Sequence, residues 1–361
     1  MARSSLSGRL ARIRGNERSG ARDNARERAP NDVEFDRADR ETGPLPALGA
    51  GWEAVAPYVY ERESRFELSD FPARFSDHLP LLFPRERAAM RDRFYRSGAE
   101  GRVEPIAFFD LETTGLSHGA GTIAFMAGIA RVEGRSLSVR QYLLADYPGE
   151  AAFLERLAAS LADAAALVSF NGKCFDAQIL SSRFLMNGLK LPVLASAVHL
   201  DLLFPSRRLW RDALGSCRLS VIEEALLGVR RELDLPGSEA PDAWFDFVRR
   251  GETDRLILIG EHNRDDCVSL VLLLELLNRE IEAGTGRAAL IRALDLRASG
   301  AWAEAARFLA PLAAGGDRLA LRLLAIDAEH RLRDLALALE YARALEDDRR
   351  VERVSRKLGL T

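Results

Sequence analysis

The chain predicts an α/β domain built on a mixed sheet flanked by helices, followed by a small all-α region. Three observations carry this prediction. Apolar runs of strand length near 106–109, 122–132 and 137–145 succeed one another without an intervening helical stretch. A helical pattern from Glu150 to Leu161 and a further strand from Ala166 to Phe170 then begin an alternation of helix and strand. Beyond Glu282 the chain is rich in Ala, Leu and Arg and reads as helix throughout.

Length and composition bound what this fold can be. With 361 residues there is room for one large domain and a smaller one, and 47% hydrophobic residues is ordinary for a globular protein. A net charge of −3 exerts no global pull on polyanions, so any such binding must come from local patches. Cys174, Cys217 and Cys267 show no C-x-x-C spacing, which argues against a zinc site or a disulfide framework and fits a reducing, cytoplasmic compartment. The longest apolar run, Val268 to Leu277, is shorter than a membrane span of about 20 residues and carries Glu275, so no membrane association is expected. The N-terminal arginines lack the apolar run of a secretory signal.

Four segments follow along the chain. Residues 1–48 are poor in large apolar side chains and read as a disordered arm. Its first 30 residues hold eight arginines against Glu17, Asp23 and Glu27, which suits either phosphate contact or a solubilising tail. Residues 49–100, with breaks at Pro72, Pro80 and Pro84, read as a cover on the α/β core. Residues 101–282 are the α/β domain and 283–361 the helical region.

The chemistry concentrates in three places. The strand Ile106-Ala107-Phe108-Phe109 runs into Asp110-Leu111-Glu112-Thr113-Thr114-Gly115-Leu116. Residues i and i+2 of a strand share a face, so Asp110 and Glu112 project together and repel unless a cation lies between them. After the strand Ala166–Phe170 comes Asn171-Gly172-Lys173-Cys174-Phe175-Asp176, which sets Asp176 near a helix N-terminus. Asn171 and Lys173 on that loop suit a phosphate or sugar ligand, and Gly172 permits close backbone approach. The third place is Glu261-His262-Asn263-Arg264-Asp265-Asp266-Cys267-Val268, on a long helical segment. His262 and Asp266 are four apart and share a helix face, while Asp265, three apart, competes with Asp266.

These motifs resemble those of the DnaQ-like (DEDD) exonucleases, which have a ribonuclease-H-like fold. The resemblance is closest to the YprB-like subgroup, whose third motif reads His-Asn-x-x-Asp. It extends to Gly119-Ala120-Gly121-Thr122, Ser169-Phe170-Asn171-Gly172-Lys173, His199-Leu200-Asp201-Leu202-Leu203 and Arg207-Arg208-Leu209-Trp210-Arg211. One departure stands out: His262 sits at the spacing from Asp266 that tyrosine-using members employ. The resemblance implies a ribonuclease-H-like mixed sheet, a 3′–5′ exonuclease and release of nucleoside 5′-monophosphates, with DNA favoured over RNA and a role in DNA repair. It further implies two Mg²⁺ or Mn²⁺ ions held by Asp110, Glu112, Asp176 and Asp266, and His262 as general base. Thr113, Thr114, Leu116, Asn171 and Lys173 would grip the terminal nucleotide. Asp201 reads as a structural carboxylate.

Arg207, Arg208 and Arg211 surround Trp210. Guanidiniums suit phosphates and an indole suits a base, though a buried Trp beside surface arginines gives the same pattern. Farther on, Gly300-x-Trp302-x-x-Ala305 with Leu309, and Ala338 with Tyr341 and Ala342, resemble tetratricopeptide helix pairs. About three repeats are usually needed for an independent solenoid, so these helices are expected to pack on the α/β domain. They would either offer a groove to a protein partner or act as a cap. The rival classes are an RNA-specific or endonucleolytic enzyme of the same fold, and a non-catalytic adaptor that has lost acidic ligands.

Overall fold

The computed structural model describes residues 48–68, 71–72, 75–95, 105–115, 121–231 and 237–360. The basic arm and Leu116, Gly119 and Ala120 lie outside the described residues. One seven-stranded mixed sheet organises the first three quarters of the chain, in the order β1-β2-β5-β4-β3-β6-β7. Its strands are β1 (Glu53–Ala56), β2 (Val59–Glu67), β3 (Ile106–Thr113), β4 (Ala124–Glu133), β5 (Ser136–Leu144), β6 (Ala166–Ser169) and β7 (Val198–Asp201). β3, β4 and β5 form an antiparallel meander, while β6 and β7 add in parallel beside β3. The successive strands and the later helix–strand alternation are those expected from the apolar pattern.

The 49–100 segment does more than cover the core. β2 pairs antiparallel with β5 along its whole length, so it extends the sheet. Only the stretch around Leu79–Leu82 and the helix α1 (Arg87–Phe94) lies against a sheet face, through Leu79, Leu82 and Met90.

β3 shows how alternation builds the two sides of the sheet. Ile106 and Phe108 enter one buried cluster, and Ala107, Phe109 and Leu111 enter the other. The second face is closed by α2 (Glu150–Leu161), α3 (Asp176–Met186) and α5 (Ala240–Arg250), through Phe153, Leu157, Leu180, Trp244 and Phe247. The first face receives α4 (Leu203–Leu214) and the long α6 (Asp254–Ala283), whose run Cys267–Leu274 is buried almost without a break. Asp110 and Glu112 continue the Ile106–Phe108 side of the strand. That is the side on which α6 lies.

The helices α7 (Gly286–Ala298), α8 (Trp302–Ala314), α9 (Arg318–Asp327), α10 (Leu335–Ala344) and α11 (Asp348–Lys357) follow, each packed on the next. Ala305, Leu309 and Leu324 fill one small core, and Ala338 with Val354 another. The first of these helices is tied to the α/β domain, since Ala288 and Ile291 join its core and Arg87 pairs with Asp295 at 2.6 Å. Among the described residues, no helix is long and apolar enough to cross a membrane.

Candidate active site

The site is assembled by a close approach of α6 to the sheet. Gly128 on β4 lies opposite Asp110 in the β3–β4 ladder. A Cβ at position 128 would stand 2.5 Å from Asn263 Oδ1 and 2.6 Å from Cys267 Sγ, so only glycine lets α6 sit this low. Asn263, fully buried, uses that position to clamp Asp110. Its Nδ2 donates to Asp110 Oδ2 at 3.0 Å and to the Asp110 carbonyl at 3.2 Å, while its Oδ1 accepts from Gln141 Nε2 at 3.0 Å. Gln141 Nε2 also donates to the Gly260 carbonyl at 2.7 Å, which fixes the helix from the preceding turn.

Asp176 is the first residue of α3, delivered by the tight loop after β6. Asn171 adopts a left-handed backbone (φ 64°). Its N–H donates to Asp201 Oδ1 at 2.8 Å, and the Lys173 N–H donates to Asp201 Oδ2 at 3.2 Å. Asp201 therefore holds the loop through its backbone. A Cβ at Gly172 would collide with the Ser169 side chain and stand 2.9 Å from Asp176 Oδ2, so the close approach that glycine permits here is to the protein itself.

Electrostatics tie the four carboxylates together. Burial first, then the charges of Asp266, Glu112 and Asp176, push the Asp110 pKa well above the usual carboxylate range, against the Asn263 hydrogen bond. Burial, followed by the Asp201 charge, lifts Asp176 from 3.8 to about 7. The charges that act on Asp110 include Asp266 and not Asp265, whose Oδ1 accepts from Arg264 Nη2 at 2.9 Å. A concentration of acid of this kind favours positive charge nearby. The donor set is oxygen-rich, of the kind that suits Mg²⁺ or Mn²⁺. Among the described residues, however, no three His, Cys, Asp or Glu side chains converge as a preformed metal shell.

The cation at this place is Arg231. Its Nη2 donates to Glu223 Oε1 at 2.6 Å and its Nε to Glu223 Oε2 at 2.9 Å, and Nη2 also makes a short contact with Asp266 Oδ1. Nη1 donates to His262 Nδ1 at 2.7 Å. Because guanidinium is only a donor, Nδ1 of His262 must be the unprotonated nitrogen. The other nitrogen, Nε2, faces Asp266 Oδ2 at 3.5 Å. Burial works against the arginine's charge, but Asp266 and Glu223 more than offset it and hold the guanidinium protonated.

The residues expected to contact a ligand divide into distinct groups. The Thr113 hydroxyl donates to the Gly115 carbonyl at 2.9 Å, and Thr114 Oγ1 accepts from the Ile123 N–H at 3.0 Å, so both shape the turn after β3. Lys173 Nζ is paired with Glu86. Arg208 donates to the Leu81 carbonyl at 2.6 Å, and Trp210 packs half-buried on the core. Asn171 and Arg207 line a cavity beside the carboxylate cluster, together with Arg211. Sequence reasoning missed Asn263, Gln141, Glu223 and Arg231 as parts of the site. Asn263 had a signal, since it lies three residues before Asp266 and so shares its helix face. Gln141 had another, as a lone amide within an apolar strand. Glu223 and Arg231 lie in an unpatterned stretch that gives none.

Comparison with known proteins agrees with this architecture. Residues 107–278 match the family model RNase_H_2, of the RNase_H superfamily. The chain is 40% identical over 166 residues to the uncharacterized protein YprB of Bacillus subtilis, covering 46% of this chain and 40% of that protein, so it spans less than half of that relative's length. Among solved structures, a family B DNA polymerase from the archaeon Pyrobaculum calidifontis aligns with a TM-score of 0.39 at 16% identity, over 53% of this chain and 25% of the polymerase. A product-bound exonuclease I aligns with a TM-score of 0.31 at 17% identity, over 43% of this chain and 45% of that one. An Escherichia coli exonuclease I–ssDNA complex in a zinc-bound form gives 0.31 at 16% identity, over 46% and 45%. The mixed sheet with its flanking helices, together with the family match over residues 107–278, gives this part of the chain a ribonuclease-H-like fold.

Proposed function

We propose that this domain is a divalent-metal-dependent 3′–5′ exonuclease of the DnaQ-like (DEDD) type. It would act on DNA in preference to RNA, release nucleoside 5′-monophosphates and serve in DNA repair. The observation that carries this reading is the electrostatic coupling of Asp110 to Asp266, Glu112 and Asp176, whose charges add to its burial in raising its proton affinity. Buried like charges of this kind are relieved by a proton or by a cation among them. That a guanidinium already lies on Asp266 fits a place for positive charge.

Asp110, Glu112, Asp176 and Asp266 would hold two Mg²⁺ or Mn²⁺ ions. Once bound, these would supply Lewis acidity toward a water and neutralise charge on the scissile phosphate. The chain's own groups do the rest. Asn263 fixes the Asp110 carboxylate through its Oδ2. His262 is the general base, and it can take a proton at Nδ1 only after the Arg231 guanidinium has left that nitrogen. Arg231 already occupies the Asp266 carboxylate, so a metal ion held there would have to displace it, and with it the donor on His262 Nδ1. The Asp201-anchored loop presents Asn171 toward the terminal nucleotide.

The test is incubation of the purified protein with 5′-labelled single- and double-stranded DNA and RNA, with Mn²⁺ or with EDTA. A ladder shortening stepwise from the 3′ end, abolished by EDTA and strongest on DNA, is the expected result. Internal cuts or a preference for RNA would move the assignment within the fold. No EDTA-sensitive hydrolysis of any polymer would overturn it.

A further inference from the structure

Beside the carboxylate cluster lies a cavity of about 470 Å³, lined by Phe170, Asn171, Leu203, Arg207, Arg211 and the turn from Gly215 to Leu219. Three arginines face it. Arg207 and Arg211 are four apart on α4 and so project from one side of the helix. The third, Arg218, is brought to the same cavity by Gly215, whose left-handed backbone (φ 70°) ends α4 and turns the chain back. All three are exposed, and among the described residues none of them has an ion-pair partner. Among the described residues no carboxylate lines the cavity. Cys217 records the crowding of charge: burial pushes its thiol pKa up, while Arg207 and Arg211 pull against it.

Exposed arginines with no ion-pair partner among the described residues occur elsewhere too, Arg85, Arg135 and Arg307 among them, but here three line one concave surface. Three guanidiniums placed in this way favour an anion with several charges. The cavity's remaining wall is apolar, supplied by Phe170, Leu203 and Leu219. Cations that take phosphates beside an apolar surface that takes bases are the two components of a single-strand groove. Asn171 belongs both to this cavity and to the loop that ends at Asp176. A chain seated in the cavity would thus lead directly into the carboxylate cluster.

We infer that this arginine cavity binds the phosphodiester backbone of a single-stranded polynucleotide, holding the nucleotides that adjoin the one at the carboxylates. The inference rests on the nuclease reading for its direction, but the binding itself can be measured apart from catalysis. The experiment compares wild type with the triple variant Arg207→Ala/Arg211→Ala/Arg218→Ala and the matching triple Lys variant. Fluorescence anisotropy with a labelled oligothymidylate in EDTA, across a salt series, reads binding. Hydrolysis of the p-nitrophenyl ester of thymidine 5′-monophosphate with Mn²⁺ reads the carboxylate site without any adjoining nucleotide.

The Ala variant should bind the oligonucleotide at least tenfold more weakly. The slope of log affinity against log salt should fall by about 2, from three lost phosphate contacts at about 0.7 each. The Lys variant should keep most of that slope, and both variants should hydrolyse the ester at the wild-type rate. Unchanged affinity and slope in the Ala variant would overturn the inference, as would wild type that binds no oligonucleotide. If no protein hydrolyses the ester yet the Ala variant still loses affinity and slope, the nuclease reading fails while the binding site stands.

Discussion

Replacing Arg231 with methionine should destabilise the metal-free protein by about 3–5 kcal/mol at neutral pH, the usual cost of removing one partner from a buried ion pair. The magnitude follows from the burial of what is left behind. The Glu223 side chain is 1% exposed and Asp266 15%, and both lose the guanidinium that neutralises them. Ser269 still donates to Glu223, but one hydroxyl does not replace a bidentate arginine. Burial already raises the Glu223 pKa in the wild type, against the pull of Arg231. Without the arginine that value must climb further. The deficit should then be full at high pH and shrink as pH falls through the raised pKa and the carboxyl takes up a proton. A second feature separates this site from an ordinary ion pair. With Asp266 released, the variant should bind Mn²⁺ more tightly than wild type, and saturating metal should return part of the lost stability. Urea unfolding at pH 5 and pH 7.5, with and without Mn²⁺, measures all of these quantities. Replacing Glu223 with Leu in the same chain should recover part of the loss, because a buried pair exchanged for apolar groups is often neutral. An Arg231→Met protein within about 0.5 kcal/mol of wild type at neutral pH, with unaltered Mn²⁺ affinity, would refute the reasoning.

Gly128→Ala should cost about 1–3 kcal/mol by overpacking and lower turnover by pushing Asn263 off Asp110; a melting curve and turnover that match wild type would contradict the close-approach account. Asp176→Asn should abolish hydrolysis and change the pH dependence of metal-free stability. Since the Asp176 pKa rises from 3.8 to about 7 on folding, its proton favours the folded chain. That stabilisation is full below about pH 4, declines by at most about 1.4 kcal/mol per pH unit as pH rises, and is gone above about pH 7. The Asn variant should lack this decline, and parallel pH profiles for the two proteins would disprove the assignment. His262→Ala should cut the catalytic rate by about 10²–10⁴ with metal and substrate binding retained. His262→Tyr should recover part of it, and near-wild-type turnover in the Ala variant would leave His262 with a structural role.

The sheet was legible because its signals are local. Alternation along Ile106–Leu111 and the apolar run of α6 state directly which faces are buried, whereas the order of the strands, with β2 beside β5 and β6 beside β3, does not follow from their succession. Shared faces are local as well: i, i+2 on a strand puts Asp110 and Glu112 on one side, and i, i+4 on a helix does the same for His262 and Asp266, whatever the tertiary context. What could not be read was anything produced by two distant segments meeting. Gly128 gave no sign that α6 would press upon it, nor Val59–Glu67 that it would pair with β5 along its whole length. Lys173 looks available on its loop until α1's neighbourhood supplies Glu86. Arg231 is the extreme case, because its role depends on Glu223, His262 and Asp266 arriving together from separate elements.

The continuity of α6 has a consequence for how this chain can change. The helix carries Asn263 and Asp266 in its first half and the buried run through Ile281 in its second, with no break between them. Each residue of an α-helix advances about 1.5 Å and turns about 100°. Deleting or inserting one residue between Asp266 and Gly284 would therefore leave one half seated and rotate the other out of its contacts, carrying the whole helical region around with it. Four residues, slightly more than a turn, would nearly restore the rotation but displace the tail by about 6 Å. Sequence length can drift in the loops around this helix, but within it the count of residues is as constrained as the identity of any side chain.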